Sequence, residues 1–140
     1  MRLTDADVLD LFAGSGALGL EALSRGARSA VFVEANPRVL KFARQNAEDL
    51  DVDLACEFVR SEAVSYLRRH TGGTFELILA DPPYDLEGLS HLPELALAHV
   101  AHGGLFVLEH HARQSFGDDP RLDVSRAYGQ TVVSIFRGSS

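Results

Sequence analysis

The sequence predicts an α/β protein: a doubly wound, mostly parallel sheet that ends in an antiparallel hairpin. Three observations predict it. Short apolar runs alternate with stretches at helical spacing as far as about residue 109. A glycine turn, Gly14-x-Gly16-x-x-Gly19, stands between the first strand and the first helix. Near the C-terminal end two extended runs meet at Gly129-Gln130 with no helix between them.

The first strand, residues 8–12, carries Val8, Leu9, Leu11 and Phe12, which suits a strand buried on both faces. Asp10 interrupts that run, and a carboxylate there needs a partner or a ligand. Gly14 and Gly16 permit positive φ and a close approach of backbone to ligand. A helix over residues 17–25 follows, stops at Gly26 and aims its free N–H groups back at the turn. Residues 29–34 make a second strand ending in Glu34. Asn36 then caps, and Pro37 begins, a helix that runs to about Asp49. Residues 54–59 read as a third strand with Cys56 in a buried apolar role, and Ser61 as the cap of a helix over 62–70. Gly72-Gly73 is a loop. Residues 75–80 form a fourth strand, which Pro82 and Pro83 stop. Residues 86–100 read as mostly helical with a kink or split at Pro93, 104–109 as a fifth strand, and 123–128 with 131–137 as the closing hairpin. In such Rossmann-like sheets ligands bind beyond the carboxyl ends of the strands, where Asp10, the glycine turn, Glu34, Glu62, Asp81 and Glu109 all fall.

The 140 residues, 46% hydrophobic, suffice for one domain, residues 1–140, with its own core. No apolar run reaches the length of a membrane span and no signal peptide opens the chain. A single cysteine excludes an internal disulfide framework and suits a reducing cytoplasm. The net charge of −7 argues against broad charge-driven binding of nucleic acid, without excluding a local patch. Arg60, Arg68 and Arg69 with His70 form such a cluster, either a solvated helix face or an RNA contact. His99, His102, His110 and His111 lack a cysteine cluster or an H-E-x-x-H spacing, so no metal is expected.

Glu34 lies 20 residues beyond Gly14 (34 − 14 = 20), where an acid accepts the hydroxyl hydrogens of an adenosine ribose. That pattern serves NAD and S-adenosyl-L-methionine alike. Asp81-Pro82-Pro83-Tyr84 separates them. An exocyclic base nitrogen is a poor nucleophile, because its lone pair is delocalised into the ring. A carboxylate and a backbone carbonyl that accept its two hydrogens favour the tetrahedral nitrogen of the transition state. Prolines hold such a loop rigid, and Tyr84 offers a face on which a flipped-out base can stack. A dehydrogenase needs none of this; amino methylation does. Glycines 14 and 16 would serve the amino-acid end of the cofactor, with Asp10 near its ammonium or an ordered water. Cys56, inside a strand, does not suit the covalent attack that carbon-5 pyrimidine methylation requires. Glu109 is either a polar group facing the substrate or a paired structural acid.

The stretch Val-Leu-Asp-Leu-Phe-Ala-Gly-Ser-Gly-Ala-Leu-Gly-Leu-Glu-Ala-Leu-Ser-Arg-Gly ending at Gly26 closely resembles the bacterial 16S rRNA (guanine-N2-)-methyltransferases. Val33-Glu34, Arg60-Ser61-Glu62-Ala63, Asp81-Pro82-Pro83-Tyr84 and Tyr128-Gly129-Gln130 match in order and spacing. Asp-Pro-Pro-Tyr by itself is shared with adenine-N6 DNA methyltransferases, and in an Asn-Pro-Pro-Tyr form with glutamine methyltransferases. The resemblance implies a class I S-adenosylmethionine-dependent fold. It also implies methyl transfer to N2 of a guanine in 16S rRNA, free or in an assembling small subunit. By position it implies that Asp10, Gly14 and Gly16 surround the methionine part and that Glu34 binds the ribose. Ser61, Glu62 and Ala63 would border the adenine, with Glu62 where the family often has Asp or Asn. Asp81 and Pro82 would hold the guanine amino group and Tyr84 its ring. Members carry a basic segment ahead of the first strand, whereas here residues 1–7 precede it. The resemblance therefore implies a shortened form, with part of the RNA-binding and cofactor-covering apparatus missing.

Overall fold

A computed structural model describes residues 3–139. Its seven strands, β1 (Asp7–Leu11), β2 (Ser29–Glu34), β3 (Cys56–Arg60), β4 (Phe75–Ala80), β5 (Val100–His111), β6 (Leu122–Tyr128) and β7 (Thr131–Arg137), form one sheet in the order β3-β2-β1-β4-β5-β7-β6. The pairings from β3 to β5 are parallel; β7 joins β5 and β6 antiparallel. The chain winds outward from β1 to β3, then crosses back to lay β4 on the other side of β1. The carboxyl ends of β1 and β4 therefore diverge, which is where such sheets open a crevice.

Period-two alternation sorts the strands between two cores. Leu9, Leu11, Ile78, Phe106 and Leu108 pack toward α3 (Ala63–Arg69) and α4 (Leu92–Leu97). Val8, Ala30 and Phe32 pack toward α1 (Ala17–Ser24) and α2 (Pro37–Asp49). The Asn36 carboxamide caps α2 by accepting the Arg38 and Val39 N–H groups at 2.9 and 3.4 Å. Gly19 is required by packing: a Cβ there would lie 2.4 Å from Cε1 of Phe32 and 3.1 Å from an Asp10 carboxylate oxygen.

Four expectations about elements are corrected. The third strand starts at Cys56, not residue 54; Asp53–Ala55 form a 3₁₀ turn that leaves Leu54 fully exposed, 100%. Ser61 does not cap α3. The N-cap is Glu62, and the Ser61 hydroxyl donates to the Glu62 carbonyl while accepting from Arg69 at 2.9 Å. Residues 86–100 hold a 3₁₀ turn (Leu89–His91) and the short α4, with Pro93 in the first turn as a helix start. Val100 already belongs to β5: it pairs with Phe75, and after an irregularity that holds Gly103 at φ 75 the pairing resumes with Leu105 opposite Leu77.

Candidate functional site

Phe12 belongs to the site, not to β1: it leaves the strand at φ 55, a left-handed conformation without glycine, and Gly14 and Gly16 follow at φ 57 and 83. Three left-handed residues within five positions turn the chain sharply from strand to helix. They bring the Gly14 N–H onto the Glu34 carboxylate at 3.0 Å. The other Glu34 oxygen accepts the Asn36 N–H at 2.9 Å. Two main-chain donors thus fix this carboxylate at the tip of β2, each oxygen retaining a lone pair.

Glu34 forms part of a cleft of about 910 Å³, with Phe12, Ser61, Glu62, Ala63, Val64, Arg68, Asp81, Pro83, Leu86 and Glu87 among its other walls. Of the sequence-predicted residues, Glu34, Ser61, Glu62, Ala63 and Asp81 therefore share one cleft. Gly14 adjoins it through the bond to Glu34, and a Cβ there would meet nothing nearer than 4.0 Å; Gly16 instead packs inward, where a Cβ would lie 3.2 Å from Ala43 and 3.3 Å from Phe32. Asp10 has a partner within the chain. It is buried behind the turn, where its carboxylate accepts the Gly19 N–H at 3.0 Å. Burial pushes its acid up to about 7, against the lowering effect of that hydrogen bond, and the charges of Asp81 and Glu34 push the same way as burial.

Beyond β4, Asp81 continues the register that pairs Ala80 with Leu108, which sets it beside Glu109. Burial raises the Glu109 acid, and the charge of Asp81 and a hydrogen bond with it raise the acid further. Glu109 is thus paired with Asp81. Pro82 is buried, and no main-chain N–H among the described residues takes its carbonyl, whereas that of Pro83 accepts Leu86 N–H at 3.1 Å. Tyr84 stands outside the cleft, 62% exposed.

Sequence reasoning missed Phe12 and Arg68 as cleft walls. Nothing in a sequence marks a non-glycine residue at positive φ, and Arg68 reads as part of a solvated helix end. The basic cluster divides: Arg69 braces Ser61, and His70 stacks on Tyr66 at 5.2 Å. Cys56 is half-buried with its thiol on the Val52 carbonyl, and burial together with the Asp53 charge pushes it up to about 11, unsuited to a nucleophile. His110 is buried against Ser134 at 2.7 Å. Among the described residues no group of three or more His, Cys, Asp or Glu is placed to hold a metal, and no helix is long and apolar enough to cross a membrane.

The residues fit an adenosine-bearing cofactor: a fixed carboxylate for a vicinal diol, apolar walls from Phe12, Val64 and Leu86, and Gly14 open above its backbone. Residues 1–137 match the family model described as "Conserved hypothetical protein 95". The chain belongs to that family. Among relatives of this Conserved hypothetical protein 95 member, the Bacillus subtilis protein named "Putative rRNA methyltransferase YlbH" is 33% identical over 92% of this chain and 74% of its own length. Ribosomal RNA small subunit methyltransferase D of Escherichia coli is 42% identical over 59% of this chain, which spans only 40% of that enzyme. Ribosomal RNA large subunit methyltransferase I of Cronobacter sakazakii is 36% identical, and this chain spans 23% of it. The solved structure named "Putative methyltransferase yhhF" from Escherichia coli aligns at TM-score 0.85 with 29% identity, covering 99% of this chain and 78% of that one. An RNA methyltransferase of Salinibacter ruber, solved with S-adenosyl-L-homocysteine, shares the fold at TM-score 0.76 and 16% identity, covering 99% of this chain and 84% of that one. The fold is that of the class I methyltransferases.

Proposed function

We propose that this chain is a cytoplasmic, single-domain S-adenosyl-L-methionine-dependent rRNA methyltransferase that modifies the exocyclic N2 amino group of a guanine in 16S rRNA. Its partner would be the free RNA or the assembling small subunit. The observation that carries the reading is Asp81 in the same cleft as the amide-fixed Glu34, followed by a buried Pro82 whose carbonyl has no main-chain donor among the described residues. The names of the relatives support rRNA as the substrate class.

Bound in the cleft, the cofactor would supply an electrophilic methyl group. Glu34 would accept the ribose hydroxyls on its remaining lone pairs, and Gly14 and Gly16 would let the backbone approach the amino-acid end. Asp10 would act from behind the turn by holding Gly19. Ser61, Glu62 and Ala63 would border the adenine. Asp81 and the Pro82 carbonyl would each accept one hydrogen of the guanine N2 group. That draws the nitrogen toward the tetrahedral geometry in which its lone pair is free to react. Tyr84 would carry the ring of the flipped base. No step calls for a metal.

Asp81→Ala should lower methyl transfer to undermethylated small subunits at least about a hundredfold, with calorimetric affinity for S-adenosyl-L-homocysteine kept within about threefold. Equal loss of both would remove the catalytic role. Transfer confined to duplex DNA or to a protein glutamine would overturn the guanine target. Cofactor binding without transfer to any acceptor would leave a non-catalytic binding module.

A further inference from the structure

The antiparallel end of the sheet carries a surface that the methyl-transfer site does not use. Cross-strand partners point to one face of a sheet. Thr131 of β7 stands between His111 of β5 and Tyr128 of β6, and one alternation inward Val133 stands between Glu109 and Arg126. These two rows share a face with Asp81, beside Glu109.

Tyr84 is pinned to the outer row. Its ring meets His111 edge-on at 5.3 Å and 80°, and its hydroxyl lies 3.4 Å from the Thr131 hydroxyl. His111 is itself held on both nitrogens. Nδ1 accepts the Arg113 main-chain N–H at 3.0 Å and its guanidinium N–H at 3.2 Å, so the ring proton belongs on Nε2, which points at the Gln130 side-chain oxygen at 3.4 Å. Gln130, from the Tyr128-Gly129-Gln130 turn, thereby acquires a task. Tyr84 and Tyr128 remain 62% and 64% exposed. Nearby Arg137 and Arg121 are neutralised by Asp123 and Asp119, whereas Arg113 and Arg126 are exposed and in no ion pair among the described residues.

We propose that this face is a subsite for single-stranded RNA flanking the target base. Tyr128 stacks on a neighbouring base, Arg126 and Arg113 meet backbone phosphates, and His111 and Gln130 are positioning residues that hold Tyr84. Open aromatic faces interleaved with cations suit unpaired nucleotides, because duplex bases hide their faces from such a surface. On a chain of net charge −7 the patch is local and lies against Asp81. The identity of the ligand as RNA rests on the proposed function; the subsite itself rests on the row of side chains.

Fluorescence anisotropy with a single-stranded oligoribonucleotide of about a dozen nucleotides, and with the same sequence as a duplex, tests it. Single-stranded RNA should bind more tightly than duplex. Tyr128→Ala should weaken binding about tenfold, and Arg126→Ala about threefold with a shallower salt dependence. His111→Ala should weaken it by a similar few-fold, with His111→Phe restoring the ring packed on Tyr84. Binding of S-adenosyl-L-homocysteine should stay unchanged in all four. Undiminished RNA affinity in Tyr128→Ala, tighter binding of duplex, or substitutions that alter only self-association would each overturn the subsite. Methyl transfer indifferent to Tyr128→Ala would overturn the subsite and leave the activity. Tyr128-dependent RNA binding without transfer to any RNA would do the reverse.

Discussion

The acids on the two sides of the β1–β4 junction, at the sheet's carboxyl edge, are held in opposite ways. At the β1–β2 end each carboxylate is satisfied by main-chain N–H groups: Asp10 by Gly19, Glu34 by Gly14 and Asn36. At the β4–β5 end Asp81 and Glu109 face each other, with charge and a hydrogen bond between them raising the Glu109 acid in addition to its burial. Backbone donors come with the fold and cost no reorganisation when a ligand arrives. Paired carboxyls instead respond to what is placed beside them, since two like charges at close range cannot both ionise freely. The first arrangement holds a constant shape, and the second answers to its surroundings.

The largest test of that contrast is Asp10, whose burial is only partly offset by its hydrogen bond. An acid raised from 3.8 to about 7 corresponds to up to roughly 4 kcal/mol of stability at 1.36 kcal/mol per pH unit. Below pH 3.8 the group is protonated in both folded and unfolded chains. Between there and about 7 the unfolded chain ionises while the folded one stays protonated, so stability falls as pH rises. Urea denaturation across that window should show the stability of wild type falling, relative to Asp10→Asn, which keeps an acceptor for Gly19, by up to roughly 4 kcal/mol. Parallel profiles would mean that Asp10 ionises freely in the fold.

A smaller effect sharpens the comparison. Glu34→Ala removes the acceptor of two backbone N–H groups, and should weaken calorimetric binding of S-adenosyl-L-homocysteine by about 2 kcal/mol, roughly thirtyfold. Glu109→Gln, at the other end, should leave that affinity within about twofold. Equal losses would erase the distinction between the two ends. Smallest is Asn36→Ala, which strips the cap from α2 and should cost about 1 kcal/mol in thermal or urea denaturation.

Much of this was legible in the sequence because it is written in local patterns. Alternating apolar periods gave every strand of the parallel half, and Asn36-Pro37 marked its helix start to the residue. Glu34 and Asp81 could be placed at strand ends because a parallel strand must stop where its loop begins. What was not legible depends on pairs distant in the chain. That Asp10 would be spent on Gly19 follows from the close approach of Phe32 to α1. That Glu109 would meet Asp81 follows from the register of β4 against β5, which no local pattern encodes. Leu54 misled because a leucine beside Ala55 and Cys56 extends an apolar run, although tertiary packing gives it nothing to cover. Pro93 reads in the sequence as a kink or split, since whether a proline begins or breaks a helix depends on where the helix starts.

The crossover that sets β4 beside β1 also has a consequence for how the chain reaches this state. β1 pairs with β2 some twenty residues on, but its other edge waits for β4, with Val8 meeting Leu77. Until then one edge of β1, with its buried Val8, Leu9 and Leu11, has neither hydrogen-bond partners nor cover. The glycine turn and Glu34 can assemble from the first 36 residues, whereas Asp81 arrives only with the strand that closes that gap. Long-range parallel pairing is the slow kind, because the loop must close before any contact rewards it. Docking of β4 on β1 should therefore limit the rate of folding, and β1 is the segment most exposed to misassociation while the chain waits.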